Sequence, residues 1–177
     1  MSATPPLGST PPVVVMGVSG SGKSVVGAAL AQRLRVPFAD ADDLHPPANV
    51  AKMSAGIPLD GADRLPWLRT VGAWLAEHAA GGAVTSCSAL RRSYRDVLRE
   101  VAPEQVFVHL AGNREVIARR VAGRPGHFMP AALVDSQFAT LEPLDPDERG
   151  VTLDVDQPID ALVAACVAAL GVQGATS

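Results

Sequence analysis

The chain has 177 residues, of which 47% are hydrophobic and 19% charged, with a formal net charge of -3. This length and apolar content suit one compact domain with its own core and exclude a chain too polar to fold. With no basic excess to neutralise a phosphate backbone or an anionic lipid surface, neither nucleic acid nor membrane is an expected partner.

Residues 1–12 are rich in Ser, Thr, Pro and Gly, with no basic start and no long apolar run, and read as a flexible lead-in rather than a secretory signal. From Pro12 onward, short apolar runs alternate with segments of helical period, the pattern of an α/β protein with a parallel sheet. Val13 to Met16 reads as the first strand, Ser24 to Leu34 as a helix and Val36 to Ala39 as the second strand. A short helix is expected between His45-Pro46-Pro47 and Gly56-Ile57-Pro58, and a longer one from Pro66 to His78, stopped by Gly81-Gly82. Ala83 to Cys87 gives a third strand, Arg91 to Glu100 a helix, Gln105 to Leu110 a fourth strand, and Asn113 to Ala122 a helix capped by Asn113. The Gly- and Pro-rich stretch 123–130 reads as a lid, followed by a helix from Ala131 to Leu141. Val151 to Val155 is the fifth strand, and a helix from Ile159 to Leu170 ends at Gly171. The expected organisation is a single domain over residues 13–171, with a flexible tail at 172–177. No apolar stretch reaches the roughly 18–20 residues that cross a bilayer. Cys87 and Cys166 belong to no C-x-x-C pair, which disfavours a zinc site or disulfide framework and suits a reducing cytoplasm.

Gly17-Val18-Ser19-Gly20-Ser21-Gly22-Lys23-Ser24 matches G-x-x-x-x-G-K-[ST] at every fixed position, between an apolar strand and an amphipathic helix. The glycines permit a tight path on which successive N–H groups point inward at phosphate, and the helix N-terminus adds partial positive charge. Lys23 is then expected to reach the β and γ phosphates of ATP and Ser24 to ligate Mg2+. The motif fixes nucleotide binding and leaves the acceptor open. Asp40-Ala41-Asp42, at the end of the second strand, alternates so that both carboxylates face the same way, at the edge where α/β proteins bind ligands. Asp40 suits the metal and Asp42 the acceptor hydroxyl; the alternative is that both cap the next segment or face solvent.

Several longer strings carry a resemblance. Asp42-Asp43-Leu44-His45-Pro46, Asn49, Lys52-Met53, Gly56, Pro58-Leu59, Asp63-Arg64 and Pro66-Trp67-Leu68 follow the H-P-x-x-N-x-x-K-M-x-x-G-x-P-L and D-R-x-P-W-L elements of the bacterial gluconokinases. Cys87-Ser88-Ala89-Leu90, Tyr94-Arg95-Asp96, Gly126-His127-Phe128, Gln137-Phe138, Leu141-Glu142 and Asp147-Glu148 continue in the same order. From Val13 to about Ile159 the chain thus resembles that family. One departure is Arg91, where the family commonly has lysine after S-A-L, and Arg and Lys are not equivalent at a bidentate contact.

The resemblance implies a P-loop kinase fold similar to shikimate kinase, with a five-stranded parallel sheet flanked by helices and a lid. It also implies ATP-dependent phosphorylation of D-gluconate and a homodimer. Arg64, matching D-R-x-P-W-L, is the implied contact for the gluconate carboxylate, the alternative being an ion pair with Asp60 or Asp63. His45 and Lys52 match family strings and are further substrate candidates, although His45 could equally be a turn residue. Ser88 is placed at the acceptor or as a buried hydroxyl, and Trp67 and Trp74 in the core. By likeness to related kinases, Arg120 and Arg124 contact nucleotide and transferring phosphate, His127 and Gln137 are additional substrate candidates, and Gln157 and Pro158 line the adenine site.

Overall fold

The computed structural model describes residues 10–57, 59–122 and 131–174. Strand β1 (Val13–Met16) consists of four apolar residues with no solvent exposure, as a parallel strand covered on both faces requires. Burial of each such side chain contributes about 1.5–3 kcal/mol. Helix α1 (Lys23–Leu34) follows the P-loop and is closed by Arg35, which adopts a left-handed conformation and bonds back to the Ala31 and Gln32 carbonyls. Val36 N–H also bonds Ala31, and Pro37 has no N–H to give, so β2 (Phe38–Asp40) starts two residues later than Val36.

Beyond β2 the chain leaves the extended conformation. Ala41–Leu44 forms a 3-10 turn capped by Asp40, whose Oδ1 accepts the Asp42 N–H at 2.9 Å. Strand alternation therefore does not govern Asp42; the turn places it near Asp40. Helix α2 (Pro47–Ser54) comes next. Helix α3 (Gly61–Glu77) begins five residues before Pro66, because Asp60 and Asp63 form a reciprocal capping box that starts it upstream of the proline. Arg64 consequently lies inside the helix, one turn before Trp67 and Leu68 and on their face.

The remaining elements are β3 (Val84–Ser86), α4 (Arg92–Val101), β4 (Val106–Ala111), α5 (Arg114–Ala122), α6 (Ala131–Thr140), β5 (Gly150–Asp154) and α7 (Ile159–Gly174). Asn113 caps α5 as expected, its Oδ1 accepting the Val116 N–H at 2.9 Å. Helix α7 continues through Gly171 rather than stopping there; one interior glycine weakens a helix by only about 1 kcal/mol. The expected lid, with Arg124 and His127, lies outside the described residues.

All five strands are parallel, in the order β2-β3-β1-β4-β5, which confirms the α/β class and the five-stranded sheet. Val13 and Val15 face a core built with Val26, Leu30, Ile117, Leu162 and Cys166, while Val14 and Met16 face one built with Trp67, Leu68, Val71, Leu98 and Phe107. Helices α3 and α4 approach closely where Gly72 meets Val101. A Cβ on Gly72 would stand 2.8 Å from the Val101 Cβ, a β-branched neighbour with little freedom to yield. Gly72→Ala should destabilise the chain by about 1–3 kcal/mol, lowering the thermal unfolding midpoint by roughly 2–12 °C. An unchanged midpoint would contradict this packing.

Candidate active site

The loop after β1 has the backbone that phosphate binding requires. Gly17, Gly20 and Gly22 have φ of 152°, 88° and 89°, and a Cβ on Gly17 would meet Ser21 Oγ at 2.7 Å and the Leu110 carbonyl at 2.8 Å. A side chain at Gly17 is therefore excluded on both conformation and space. No side chain caps Gly22 and no acidic residue occupies the first turn of α1, so its leading amides stay available to an anion. Lys23 arches back over the loop, its Nζ donating to the Val18 carbonyl at 3.3 Å. Burial lowers its pKa, with Asp42, Cys87 and Asp40 acting in the opposite sense.

Parallel pairing brings β2 and β3 to the same edge. Asp40 is level with Ser86, and Ser86 with Val15, so the Ser24 hydroxyl donates to Asp40 Oδ2 at 2.8 Å and also lies 3.3 Å from Ser86 Oγ. Asp42 opens to solvent at the mouth of the site. Crowding by surrounding protein and then the Asp40 carboxylate raise its pKa, against the pull of Lys23 and His45. Beneath them, Cys87 is sealed in and its thiol is pushed up to about 12 by burial, so it is no nucleophile.

Beside the loop lies a cleft of about 260 Å³. Helix α3 contributes Arg64, Trp67 and Leu68 to it, the segment after β3 contributes Ser88 to Arg91, α4 contributes Tyr94, and α6 contributes Ser136, Gln137 and Thr140. Among the described residues, two guanidinium groups, four hydroxyls and an amide line it, and no carboxylate does. Arg64 spans the Tyr94 ring at 5.6 Å and donates to its hydroxyl at 3.3 Å. The alternative partners of Arg64 are engaged elsewhere, since Asp60 and Asp63 cap α3 and Asp63 takes Lys52 at 2.8 Å.

The sequence-based candidates thus fall into three groups. Lys23, Ser24, Asp40 and Asp42 converge at the loop; Arg64, Ser88 and Gln137 converge in the cleft. Gln137 joins the two, its Oε1 accepting from Ser19 N–H at 3.1 Å and lying 3.4 Å from Ser19 Oγ. His45 stacks on Trp67 at 4.2 Å rather than lining the cleft; desolvation lowers its pKa, with Asp42 raising and Arg64 lowering it, so it stands between those two groups. Trp67 is buried as expected but is also a wall of the cleft, its Nε1 anchored on the Ala41 carbonyl at 2.7 Å. Lys52 does not join the cleft: Asp63 binds it, and Asn49 fixes the Asp63 carbonyl at 2.9 Å. Arg120 forms the third group. It donates to the Gln157 carbonyl at 2.9 Å and its Nη1 would lie 3.5 Å from a Cβ on Gly22, bridging the loop to the Gln157-Pro158 segment.

Sequence reasoning assigned no role to Arg91, Tyr94, Ser136 or Thr140. Tyr94 and Arg91 carried a signal only through recognised strings, the latter as a departure from one, while Ser136 and Thr140 acquire their place from the packing of α6 across the cleft.

A family model for shikimate kinase matches residues 19–144. The gluconokinase of Gluconobacter oxydans is 48% identical over 153 residues, spanning 85% of this chain and 86% of that protein. The thermoresistant gluconokinase of Escherichia coli is 41% identical over 157 residues, spanning 87% and 90%. The chain belongs to the gluconokinase family. Its likeness to the crystal structure of a gluconokinase from Sinorhizobium meliloti extends over 93% of this chain and 94% of that one, at 49% identity and a TM-score of 0.85. Family membership makes it an ATP-dependent P-loop phosphotransferase.

The placements of Arg64 and Lys52 separate their effects. Arg64→Met should raise the acceptor KM roughly tenfold to a hundredfold, as loss of a charge-assisted hydrogen bond does, whereas Lys52→Met should lower the melting temperature and leave that KM within about twofold. Steady-state kinetics of both variants check this; a larger KM effect from Lys52 would reverse the assignment.

Proposed function

We propose that the chain transfers the terminal phosphoryl group of ATP to D-gluconate, giving ADP and 6-phospho-D-gluconate. The observation that carries this reading is the cleft, whose described residues set cations and hydroxyls, and no carboxylate, against a P-loop: a lining suited to a small polyhydroxy acid. The gluconokinases of Gluconobacter oxydans and Escherichia coli support it by their identity over most of the chain.

In this reading Arg64 receives the carboxylate, and Ser88 and Gln137 receive hydroxyls along the chain. Asp42 orients the terminal hydroxyl and takes its proton. Lys23 exchanges the Val18 carbonyl for phosphate oxygens, and the loop amides hold the rest of the triphosphate. Arg120, already fixed to the Gln157 carbonyl, shapes the nucleotide end with Gln157 and Pro158. Arg124 and His127 remain candidates for closing over the transferring group.

Ser24 Oγ and Asp40 Oδ2 are hard oxygen donors of the kind Mg2+ takes together with substrate phosphates, so these residues fit the ion. Among the described residues no group of three His, Cys, Asp or Glu side chains forms a separate metal site. Bound at Ser24 and Asp40, Mg2+ would neutralise phosphate charge. A homodimer and a cytoplasmic setting belong to the same proposal, supported by the family resemblance and by two buried, unpaired cysteines.

A coupled ADP-release assay across gluconate, shikimate, other sugar acids and nucleoside monophosphates tests the substrate. Gluconate should stimulate release; no stimulation by gluconate with strong stimulation by another acceptor would overturn the reading. The raised pKa of Asp42 fixes a sign for pH. Its carboxylate is protonated at higher pH than an ordinary aspartate as acidity increases, so kcat should fall on the acid side with an apparent pKa above the usual aspartate range. Asp42→Asn should cut turnover by about 10²–10⁴-fold with ATP affinity nearly intact, and should remove that acid limb. A variant with full activity would exclude Asp42 as the base.

A further inference from the structure

The wall of the cleft between Ser88 and Leu90 is held by three successive backbone carbonyls, each bonded to a different part of the molecule. Ser88 accepts from the Gly17 N–H of the P-loop at 3.3 Å, and Leu90 accepts from the Glu142 N–H, just beyond α6, at 2.7 Å. Between them, the Ala89 carbonyl accepts from Arg95 Nη1 at 2.9 Å. Ala89 has φ of 45°, a left-handed conformation that an alanine does not hold without support. This reversal lets Ser88, Ala89, Leu90 and Arg91 all reach the cleft.

Arg95 itself is fully buried, with no solvent to share its charge. Its Nε and Nη2 pair with both oxygens of Glu148 at 2.7 and 3.0 Å, and Nη2 also reaches the Pro143 carbonyl at 3.2 Å. Glu148 accepts from Arg99 and from the Asp145 N–H as well, so the carboxylate and guanidinium are locked from several sides. A buried ion pair is a poor source of net stability, because desolvation offsets most of its attraction. Its fixed geometry is what it offers here. Apolar side chains could fill the space between α4 and the loop before β5, but none could donate to the Ala89 carbonyl.

We propose that Arg95, clamped by Glu148, is a positioning residue for the acceptor: it holds the left-handed turn at Ala89 and thereby sets Ser88 and Arg91 for gluconate without touching it. The inference rests on the gluconate reading above. Arg95 supplies the sole side-chain bond among the three that fix these carbonyls, so its removal should loosen the acceptor wall while the Ser88–Gly17 bond keeps the P-loop in register.

The test compares Arg95→Lys, the double variant Arg95→Met/Glu148→Met and Arg99→Met in steady-state assays that titrate gluconate and ATP separately. The double variant avoids stranding a buried charge. It should raise the gluconate KM at least about tenfold, equivalent to one lost hydrogen bond's worth of binding, with the ATP KM within about twofold. Arg95→Lys, which keeps a donor, should fall between it and the parent. Arg99→Met, which leaves the Ala89 bond in place, should lower the melting temperature without moving either KM. An unchanged gluconate KM in both Arg95 variants, equal rises in both KM values, the same gluconate effect from Arg99→Met, or failure of both Arg95 variants to fold would each overturn the proposal in favour of a purely structural role. Parent enzyme that does not phosphorylate gluconate would instead remove the acceptor reading on which it rests.

Discussion

Parallel pairing of β2, β3 and β1 is the constraint on which the site depends. Because the three strands run in the same direction, their carboxyl ends emerge side by side, and the level residues Asp40, Ser86 and Val15 bring distant stretches of sequence together. The Ser24 hydroxyl can then reach both Asp40 and Ser86 from the first turn of α1. Gly17, whose N–H bonds to the Ser88 carbonyl, ties the phosphate loop to the cleft wall at the same edge. Reversing any one of these strands would carry its residues to the far side of the molecule.

The same edge divides by charge. On the nucleotide side, two aspartates stand beside a half-buried lysine, with Asp42 shifted toward its neutral form and Lys23 lowered by desolvation. On the other side of His45 and Trp67, the cleft is cationic. In the proposed reading, an acid anchored there by Arg64 would be kept away from the triphosphate, with its distal hydroxyl directed back toward Asp42. Gln137 spans the boundary by accepting from Ser19, so the helix that lines the cleft also touches the phosphate loop.

The P-loop was legible in the sequence because it is local: strand, glycines, lysine and helix are adjacent in the chain. Asp40 and Asp42 were found by position, but through a strand alternation that the 3-10 turn at Ala41 replaces. The start of α3 was missed because Pro66 looked like a first-turn residue, whereas the Asp60–Asp63 box acts upstream of it. Lys52 and Arg64 looked alike as cations in family strings. Only the fold distinguishes the one tied to Asp63 from the one on Tyr94 in the cleft. Arg95 was legible only as part of a family string, because the burial of a guanidinium in a highly charged helix shows only once α4 packs against the loop that carries Glu148.

A crystal structure with gluconate, Mg2+ and a non-hydrolysable ATP analogue tests the central claim most directly. The account places the gluconate carboxylate against Arg64 and its terminal hydroxyl within hydrogen-bonding distance of Asp42, facing the analogue's terminal phosphate. Gluconate bound in the opposite direction, with its carboxylate toward Asp42, or bound outside the cleft between Arg64 and Gln137, would contradict it.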